Sequence, residues 1–436
     1  MQEGRVFDNE SLGEIPRALQ VCDQKCLDVS LELELRGSLD SDKVHALQAA
    51  VQQNDRITNV KLQLKGAWEE VSSANRIAVA NIIDTACHLP NLKEFVIVGD
   101  FVPLPAISNL LRHSVTLQTL KLEQLRNLRS CDTGVIVDFC SAIRRHGALK
   151  FFSLHPHISD SSEPQEDALV NLLLESLAGI PTLEHIAIVT NTKSFAGEPL
   201  VELCHSATLV KLELNPRGEV SLNGLEALAK NQSIQELLVT CTYSDHSSAA
   251  LFQLIQSNAT LKTLTVVYHE AWRDDDSYDQ YVLPLAQALK TNTTLSGVKF
   301  LMGTSNYPSI PILKAFLEMI KTNYVLHDLE LFGDESRVQW TCYEELQAMK
   351  DERAKEAILL GKRIRYFTIL NRSGRGGLLQ NPTESANRIQ WVEKLVEYSY
   401  SIDHIYFFLR TNPALCCQEA ASAASPADRK RGRQDD

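Results

Sequence analysis

Short groups of apolar residues recur along the chain with the spacing L-x-x-L-x-L, in which the first, fourth and sixth residues are apolar. Eleven copies follow one another at intervals of about thirty residues. Self-similarity of this kind indicates a repeat array in which each unit stacks on its neighbours. Eight clear copies begin at Leu117, Leu149, Leu183, Leu209, Ile234, Leu261, Leu295 and Leu326, and three weaker copies begin at Cys26, Ile57 and Leu92.

Each copy predicts a short β-strand, because residues two apart in an extended chain point to the same side. The fourth and sixth residues of a copy would face the core, and the first would anchor the incoming turn. The segments between copies show helical spacing, as at Leu222, Leu225 and Leu228. Every unit is therefore predicted as a strand, a loop, a helix and a second loop.

The strand and the helix of one unit cannot bury their apolar faces alone, so consecutive units must stack. The strands would then form one parallel sheet and the helices a second layer. Because a helix with its loops is wider than a strand, the array must curve towards the sheet. We predict an α/β solenoid of about eleven repeats, a horseshoe with strands on the concave face and helices on the convex face.

The predicted helices often end at an asparagine, which stands three residues before the first apolar residue of the next strand. Asparagine tolerates the left-handed backbone conformation that closes many helices. We therefore interpret these asparagines as left-handed helix ends. They are Asn54, Asn231, Asn258, Asn292 and Asn323.

These asparagine tetrapeptides, with the preceding ALAK or ALKT, resemble the leucine-rich repeats of the ribonuclease-inhibitor type, which also occur in NOD-like receptors. The resemblance covers Cys26 to Phe332. It implies a horseshoe that grips protein partners on its concave face and adjoining loops, with no catalytic residue in the repeats as such. The ninth repeat position departs from that family, because only Asn191 has the expected Asn or Cys there, and we expect irregular turns at that edge.

The sequence divides into four parts. Residues 1–25 contain the apolar stretch Ile15 to Val21 and are predicted as an N-terminal cap, and residues 26–340 as the solenoid. Residues 341–416 are predicted as a helical C-terminal cap, in which one helix runs from Tyr343 to Lys362 and a polar loop contains Arg372 and Arg375. Part of this cap also resembles C-terminal segments of leucine-rich-repeat proteins from diatom-like algae. Residues 417–436 lack apolar periodicity and are predicted to be disordered.

Composition and charge narrow the choice of partner. The chain is 44% hydrophobic and 22% charged, as expected for a folded protein. Its net charge of -12 argues against a nucleic-acid partner, because phosphate binding depends on a cationic surface. The sequence has neither a long membrane-spanning apolar run nor a signal-peptide pattern, and its ten cysteines form no CxxC pair. We expect a cytoplasmic, monomeric protein without a cofactor.

Two other functions stay open. The phosphate-loop, dinucleotide-binding, GxSxG and HExxH motifs are absent from the sequence. A metal-dependent enzyme would nevertheless be conceivable if His155 and His157, at the exit of one strand, shared an ion with His185 of the next repeat. A nuclear regulatory protein is the other alternative, since the basic run Arg429, Lys430, Arg431 and Arg433 is typical of an import signal.

The favoured function is noncatalytic binding of another protein. Strand residues outside the apolar triplets alternate with the core positions and should face the concave side. Among them, apolar residues form a predicted contact patch, and charged residues form its polar rim. The patch consists of Val189, Leu238, Val267, Leu301 and Phe332, and the rim of Lys211, Glu236, Lys299 and Asp328. His155 and His185 are further predicted contact residues of the concave face.

Overall fold

The computed structural model describes most of the repeat region and one further helix. The described residues are 6–8, 14, 29–36, 41–52, 54–65, 73–99, 101–125, 131–156, 164–190, 194–195, 197–216, 219–241, 244–268, 279–302, 309–331, 352–372, 374–376, 406 and 410.

Among the described residues, twelve strands form one continuous sheet, and all neighbouring strands in it are parallel. They follow in chain order as β1 (Val6–Asp8), β2 (Val29–Arg36), β3 (Ile57–Lys65), β4 (Glu94–Gly99), β5 (Thr119–Leu125), β6 (Phe151–Pro156), β7 (His185–Thr190), β9 (Lys211–Pro216), β11 (Glu236–Cys241), β12 (Thr263–Tyr268), β13 (Gly297–Met302) and β14 (Asp328–Leu331). The short strands β8 (Ser194–Phe195) and β10 (Glu219–Val220) pair separately.

A helix lies between most consecutive strands of the sheet, and consecutive helices pack against each other. The described helices are α1 (Ser41–Gln52), α2 (Ser73–Ala86), α3 (Leu104–His113), α4 (Thr133–Arg145), α5 (Pro164–Ala178), α6 (Gly197–Cys204), α7 (Leu222–Lys230), α8 (Asp245–Ser257), α9 (Asp279–Thr291), α10 (Ile310–Thr322) and α11 (Glu352–Arg372). The chain is a leucine-rich-repeat solenoid of about eleven units, as the apolar spacing predicted.

The apolar triplets occupy the core side of the sheet. Leu264 and Val266 are fully buried in β12, as are Leu120 and Leu122 in β5, and Leu261, the first residue of its triplet, is almost fully buried. The strand registers align ten of the eleven predicted copies without a shift at their core positions. The sheet therefore has one continuous apolar layer between strands and helices.

The core residues of the first copy, which begins at Cys26, lie two residues later than predicted. Leu31 and Leu33 of β2, and not Val29 and Leu31, pair with the core residues Val60 and Leu62 of β3. Apolar residues alternate through all of β2, from Val29 to Leu35, so two registers fit the same sequence pattern. Only pairing with the next strand distinguishes them.

Polar side chains cap the N-termini of several helices. The side chains of Asp132, Ser221, Ser244 and Ser309 each accept a hydrogen bond from a backbone N–H in the first turn of the following helix. Such caps satisfy donors that the helix itself leaves unpaired. Leu225 and Leu228 of α7 are buried, whereas Leu222, the first residue of the helix, is 43% exposed.

The asparagines at the helix ends are not left-handed. Asn231, Asn258 and Asn323 have φ of -66°, -78° and -85°, so the predicted conformation is wrong. Their side chains explain their positions instead. The oxygen Oδ1 of Asn258 accepts from the N–H groups of Thr260 and Leu261 at 2.9 and 2.8 Å, while Nδ2 donates to carbonyl oxygens of the preceding repeat at Leu228 and Asn231.

This arrangement recurs and forms what we call the asparagine ladder. Every member named here is buried, and each side chain joins the turn of its own repeat to the helix end of the repeat before it. A buried carbonyl or N–H without a partner is costly, so the ladder stabilises the stacking of units. The members are Asn231, Asn258, Asn292 and Asn323.

His146 follows the last residue of α4, the position that the ladder asparagines occupy after their own helices. Its ring nitrogens Nδ1 and Nε2 lie 2.8 Å and 2.7 Å from the carbonyl oxygens of Leu111 and Leu117, and the residue is buried. Both carbonyls belong to the preceding repeat. The imidazole therefore substitutes for an asparagine amide in joining two units.

Helix α11 extends further than expected. It begins at Glu352 and continues to Arg372, so the predicted helix end at Lys362 is wrong. Ile364, Phe367 and Leu370 lie beyond that point and are buried, which explains why the helix continues. The helix packs against α10.

Several predictions concern residues outside the described part of the chain. They include the cap stretch Ile15 to Val21, Asn191, His157 and Phe332. Residues 377–416, except Tyr406 and Arg410, and the basic run Arg429 to Arg433 also lie outside it. Strand β1 lies within the segment predicted as the N-terminal cap and pairs with β2. None of the helices among the described residues has the length and apolar character needed to cross a bilayer.

Candidate functional site

The strand residues that alternate with the core form three parallel columns on the concave face. The first column follows the start of each strand, the second lies two residues further, and the third four residues further. Predicted site residues occur in all three. His185, Lys211, Glu236 and Asp328 belong to the first column, Leu238 and Lys299 to the second, and His155, Val189, Val267 and Leu301 to the third.

Lysines of the concave face are paired with glutamates. Lys61 lies 2.6 Å from Glu32 on the neighbouring strand, and Lys299 lies 3.0 Å from Glu330. A third ion pair joins Lys121 to Glu94 at 2.9 Å. Ion pairs with this degree of exposure contribute little to stability, so their main effect is to fix the charge pattern of the surface.

Lys211 has two carboxylate partners. Its ammonium lies 2.9 Å from Glu213 on the same strand and 3.3 Å from Glu236 on the next strand. The hydrogen bond to Glu213, assisted by the charges of both carboxylates, raises the pKa of Lys211. One positive charge thus faces two negative charges, and this part of the surface is acidic.

The predicted apolar patch is divided. Val189 lies next to Asn215 in the third column, and Thr240 of the following strand donates a hydrogen bond to the Asn215 side chain at 2.9 Å. These two polar residues separate Val189 from Val267. Val267 and Leu301 are direct neighbours on β12 and β13, and Leu238 stands in the adjacent column of β11.

The remaining apolar surface is half-buried. Leu238, Val267 and Leu301 all have intermediate exposure. Side chains of this kind can gain further burial from a partner without leaving a large apolar area in water beforehand. The three residues therefore form an apolar surface smaller than the predicted patch.

The two described histidines of the proposed metal rim are too far apart to share an ion. His185 pairs in register with Phe151, four residues before His155 on β6, which corresponds to roughly 13 Å along a strand. A metal ion needs its nitrogen ligands at about 2 Å. The described part of the chain contains no group of three His, Cys, Asp or Glu residues arranged to hold a metal.

The rim histidines have other surroundings. The ring of His185 meets that of Phe151 edge-on, with 5.8 Å between centroids. His155 has intermediate exposure, but its Nε2 atom is buried and has no hydrogen-bond partner among the described residues. Glu123 of β5 stands opposite His155 in the strand register.

The middle of the concave face is closely packed. Val96, Ser153 and Ala187 of the second column are each less than a tenth exposed. Elsewhere, between the first two repeats, a gap of about 10 Å³ is lined by side chains that include Leu33, Val60 and Thr85. That volume is close to the minimum for one water molecule, so the gap cannot hold a metabolite.

Three residues that contribute to the surface were not among the predicted contact residues. Glu213 and Glu330 complete the ion pairs of Lys211 and Lys299, and Gly297 leaves the first column of β13 without a side chain. Alignment of the repeats placed both glutamates in the second column. Glu213 and Glu330 each lie two residues after a predicted contact residue, Lys211 and Asp328 respectively.

No protein-family model matches the sequence, and no curated protein matches it significantly. Among solved structures, one similar chain is the tropomodulin C-terminal domain from Caenorhabditis elegans, at 17% sequence identity and a TM-score of 0.27. The likeness covers 38% of this chain and 92% of that domain.

Proposed function

We propose that the chain is a noncatalytic scaffold that binds another protein on the concave face of its solenoid. The main support is the continuous parallel sheet, in which three outward-facing columns of side chains keep their register from β11 to β13 and the first two continue to β14. A repeat array of this kind creates an extended binding surface without a deep cleft. We propose that the chain acts as a monomer in this role.

The charges of the face favour a protein partner over nucleic acid. Each described lysine in the three columns is already joined to a glutamate, so few cations are available for phosphates. A polar rim around half-buried apolar residues is the usual composition of a protein interface. Val267 and Leu301 are direct neighbours in the third column, on β12 and β13.

The function is tested by changing Val267 and Leu301 together to aspartate. Proteins captured by the wild-type chain and by the variant are quantified by mass spectrometry, and circular dichroism shows that both chains are folded. We expect the specific partners to be lost from the variant, because two buried carboxylates at an interface are costly to desolvate.

A convex-face variant is the matched control. Val137 of α4 is 50% exposed, and its replacement by aspartate introduces the same chemical change on the opposite face. We expect the Val137→Asp variant to keep the partners. If the concave variant folds and captures the same proteins as wild type, the concave face is not the binding surface.

A further inference from the structure

Strand β14 is the last strand of the sheet. It pairs with β13 on one side, and no strand among the described residues pairs with its other side. Its core residues Leu329 and Leu331 are partly exposed, whereas their neighbours in register on β13, Val298 and Phe300, are fully buried. The apolar layer of the solenoid is therefore incomplete at this edge within the described part of the chain.

The residues that follow α11 do not continue as a strand beside β14. Asn371 donates to the backbone oxygen of Asn323 at 2.7 Å, as a ladder asparagine of a further repeat would. In the preceding repeat the strand begins five residues after the asparagine, at Asp328. Five residues after Asn371 is Gly376, which has helical backbone, and a Cβ added there would lie 3.1 Å from that of Tyr324. The chain thus turns onto the end of α10 at this point.

A backbone oxygen at this edge can still accept an incoming strand. The oxygen of Ser296 accepts from the N–H groups of His327 and Asp328 at 2.9 and 3.0 Å, and an equivalent pair of bonds precedes each strand of the large sheet from β5 to β14. The equivalent oxygen after β13 belongs to His327. Among the described residues it contacts only the exposed guanidinium of Arg372, at 3.4 Å.

Asp328 determines the charge that suits this edge. Its neighbour in register on β13 is Gly297, which has no side chain, and Asp328 makes no ion pair with any residue that the structure describes. The next outward residue of the strand, Glu330, pairs with its direct neighbour Lys299 at 3.0 Å. The directly opposite position that remains for a cation facing Asp328 is on the open side of β14.

A second copy of this chain does not suit the edge. Antiparallel pairing of two β14 strands over three or more residues would place Asp328 opposite Glu330 of the other copy, or the two Glu330 residues opposite each other. Like charges directly opposite each other destabilise a strand pair. A strand with a cation opposite Asp328 and apolar residues opposite the two leucines suits both faces of β14.

We propose that the open edge of β14 is a second interaction surface, which binds an extended segment of another protein as an added parallel strand. The segment has a basic residue opposite Asp328 and apolar residues opposite Leu329 and Leu331, so its pattern is basic, apolar, any residue, apolar. Main-chain hydrogen bonds that begin at the His327 oxygen supply affinity, and the alternate side chains supply selectivity. This surface goes beyond the proposed function, because it uses the edge of the sheet and not the concave face.

The first measurement compares synthetic peptides labelled with fluorescein. The probe contains Arg-Leu-Thr-Val between serines, and its binding to the full chain is followed by fluorescence anisotropy. One comparison peptide has glutamate in place of arginine, and a second has the order Arg-Thr-Leu-Val, which ends the alternation. We expect the probe to bind about tenfold more tightly than either comparison. Equal affinities for the three peptides, or no binding of the probe, would overturn the inference.

Methylation of the peptide backbone tests whether the probe adds a strand. A methyl group on the arginine nitrogen removes the N–H that would donate to the His327 oxygen, so it should reduce the affinity about tenfold. A methyl group on the leucine nitrogen is the control, because in a parallel strand that N–H points away from β14. The control peptide should bind as the unmodified probe does. Equal effects of the two methyl groups contradict strand addition.

Two substitutions of Asp328 locate the probe on the chain. Asp328→Lys should reverse the preference, so that the glutamate peptide binds more tightly than the arginine probe. Asp328→Asn is nearly isosteric and should weaken the probe about fivefold, as expected for an exposed ion pair. Glu226→Lys on the exposed side of α7 is the matched control and should leave binding unchanged.

Circular dichroism shows whether each variant is folded. If Asp328→Lys does not fold, Asp328→Asn decides. Unchanged probe binding in a folded Asp328 variant means that the probe binds elsewhere, and the inference is then wrong.

Discussion

The side-chain amide of Asn371 donates a hydrogen bond to the backbone oxygen of Asn323 at 2.7 Å. Asn323 itself donates to the carbonyl oxygens of Leu289 and Asn292, so Asn371 repeats the contact that each unit makes with the unit before it. The asparagine ladder thus continues into α11, beyond the last strand. Arg375 adds hydrogen bonds to the oxygens of Ile320 and Lys321 at the end of α10, and burial lowers its pKa.

Replacing Asn371 by alanine should loosen the C-terminal end of the solenoid. The change leaves the buried oxygens of Asn323 and Leu326 without their donor, which we expect to cost about 2 kcal/mol. Because a solenoid unit depends on its neighbours, local opening should concentrate in α10 and β14. Hydrogen exchange measured by mass spectrometry over these elements tests this.

Arg372→Ala is the control for this substitution. Arg372 is exposed and makes a long contact of 3.4 Å with the oxygen of His327. Exchange in α10 should stay as in wild type. Similar effects of the two substitutions would show that Asn371 does not join α11 to the repeats.

Asn258→Ala should destabilise the middle of the array. Asn258 is buried, and its side chain makes two hydrogen bonds to the preceding repeat and two within its own turn. We expect a loss of about 3 kcal/mol, since several buried partners lose their bonds together. Chemical denaturation followed by circular dichroism measures it. Asn91→Ala is the comparison. Asn91 is exposed, and its side chain makes one hydrogen bond, to the backbone oxygen of Asp55, so its replacement should lower the free energy of unfolding by under about 1 kcal/mol.

The sequence predicts the positions of the ladder asparagines but not their hydrogen bonds. The position of Asn258 relative to the next apolar residue could be predicted, since it recurs in the repeats. Its role could not, because asparagine is common both in left-handed turns and as a hydrogen-bonding cap. At His146 the sequence has no asparagine, so the repeat pattern does not predict its role. Its hydrogen bonds to two carbonyl oxygens of the preceding repeat show that it joins two units as the ladder asparagines do.

His146→Asn tests whether histidine and asparagine are equivalent in the ladder. An asparagine amide can donate to the preceding repeat as the imidazole does, whereas alanine cannot. We expect His146→Ala to lower the free energy of unfolding by about 2 kcal/mol and His146→Asn by less than half of that. Thermal unfolding of the two variants compares them. Equal losses would mean that His146 acts through its volume and not its hydrogen bonds.

Gly99→Ala should be strongly destabilising. Gly99 at the end of β4 has φ of 149°, and an added Cβ would lie 2.6 Å from the backbone oxygen of Leu64. Neither the conformation nor the contact can be relieved without moving a strand, so we expect a loss of about 3 kcal/mol. Gly147→Ala is the control, since nothing lies within 4 Å of its added Cβ and the residue is exposed. Urea denaturation midpoints provide the comparison.

The candidate face was predictable in outline. Alternation along each strand correctly places Val267 and Leu301 on the concave side, because that property depends only on the two-residue period. The division of the apolar patch was not predictable, since it arises from a hydrogen bond between Thr240 and Asn215 on different strands. Pairing of Lys211 with Glu236 also depends on the register between β9 and β11, whereas Glu213 lies on the same strand as Lys211.

Buried thiols give a prediction about pH. Burial raises the pKa of Cys87 and of Cys204 to about 12, and that of Cys140 to about 11, from an ordinary value of 9.0. A thiolate is the reactive form, so these three cysteines should resist iodoacetamide at pH 8 in the folded chain and react after denaturation. Cys131, which is half-buried, should be modified first among the five described cysteines. Peptide mapping by mass spectrometry assigns each site.

The same shifts predict how stability depends on alkaline pH. Above pH 9 the unfolded chain loses these thiol protons while the folded chain retains them up to about pH 11 to 12. The unfolded state then binds fewer protons, so the free energy of unfolding should fall as pH rises through this interval. Replacing Cys204 by alanine should make the fall shallower, because alanine cannot ionise, even though the smaller side chain lowers stability at neutral pH. An unchanged slope in Cys204→Ala would show that other groups cause the loss.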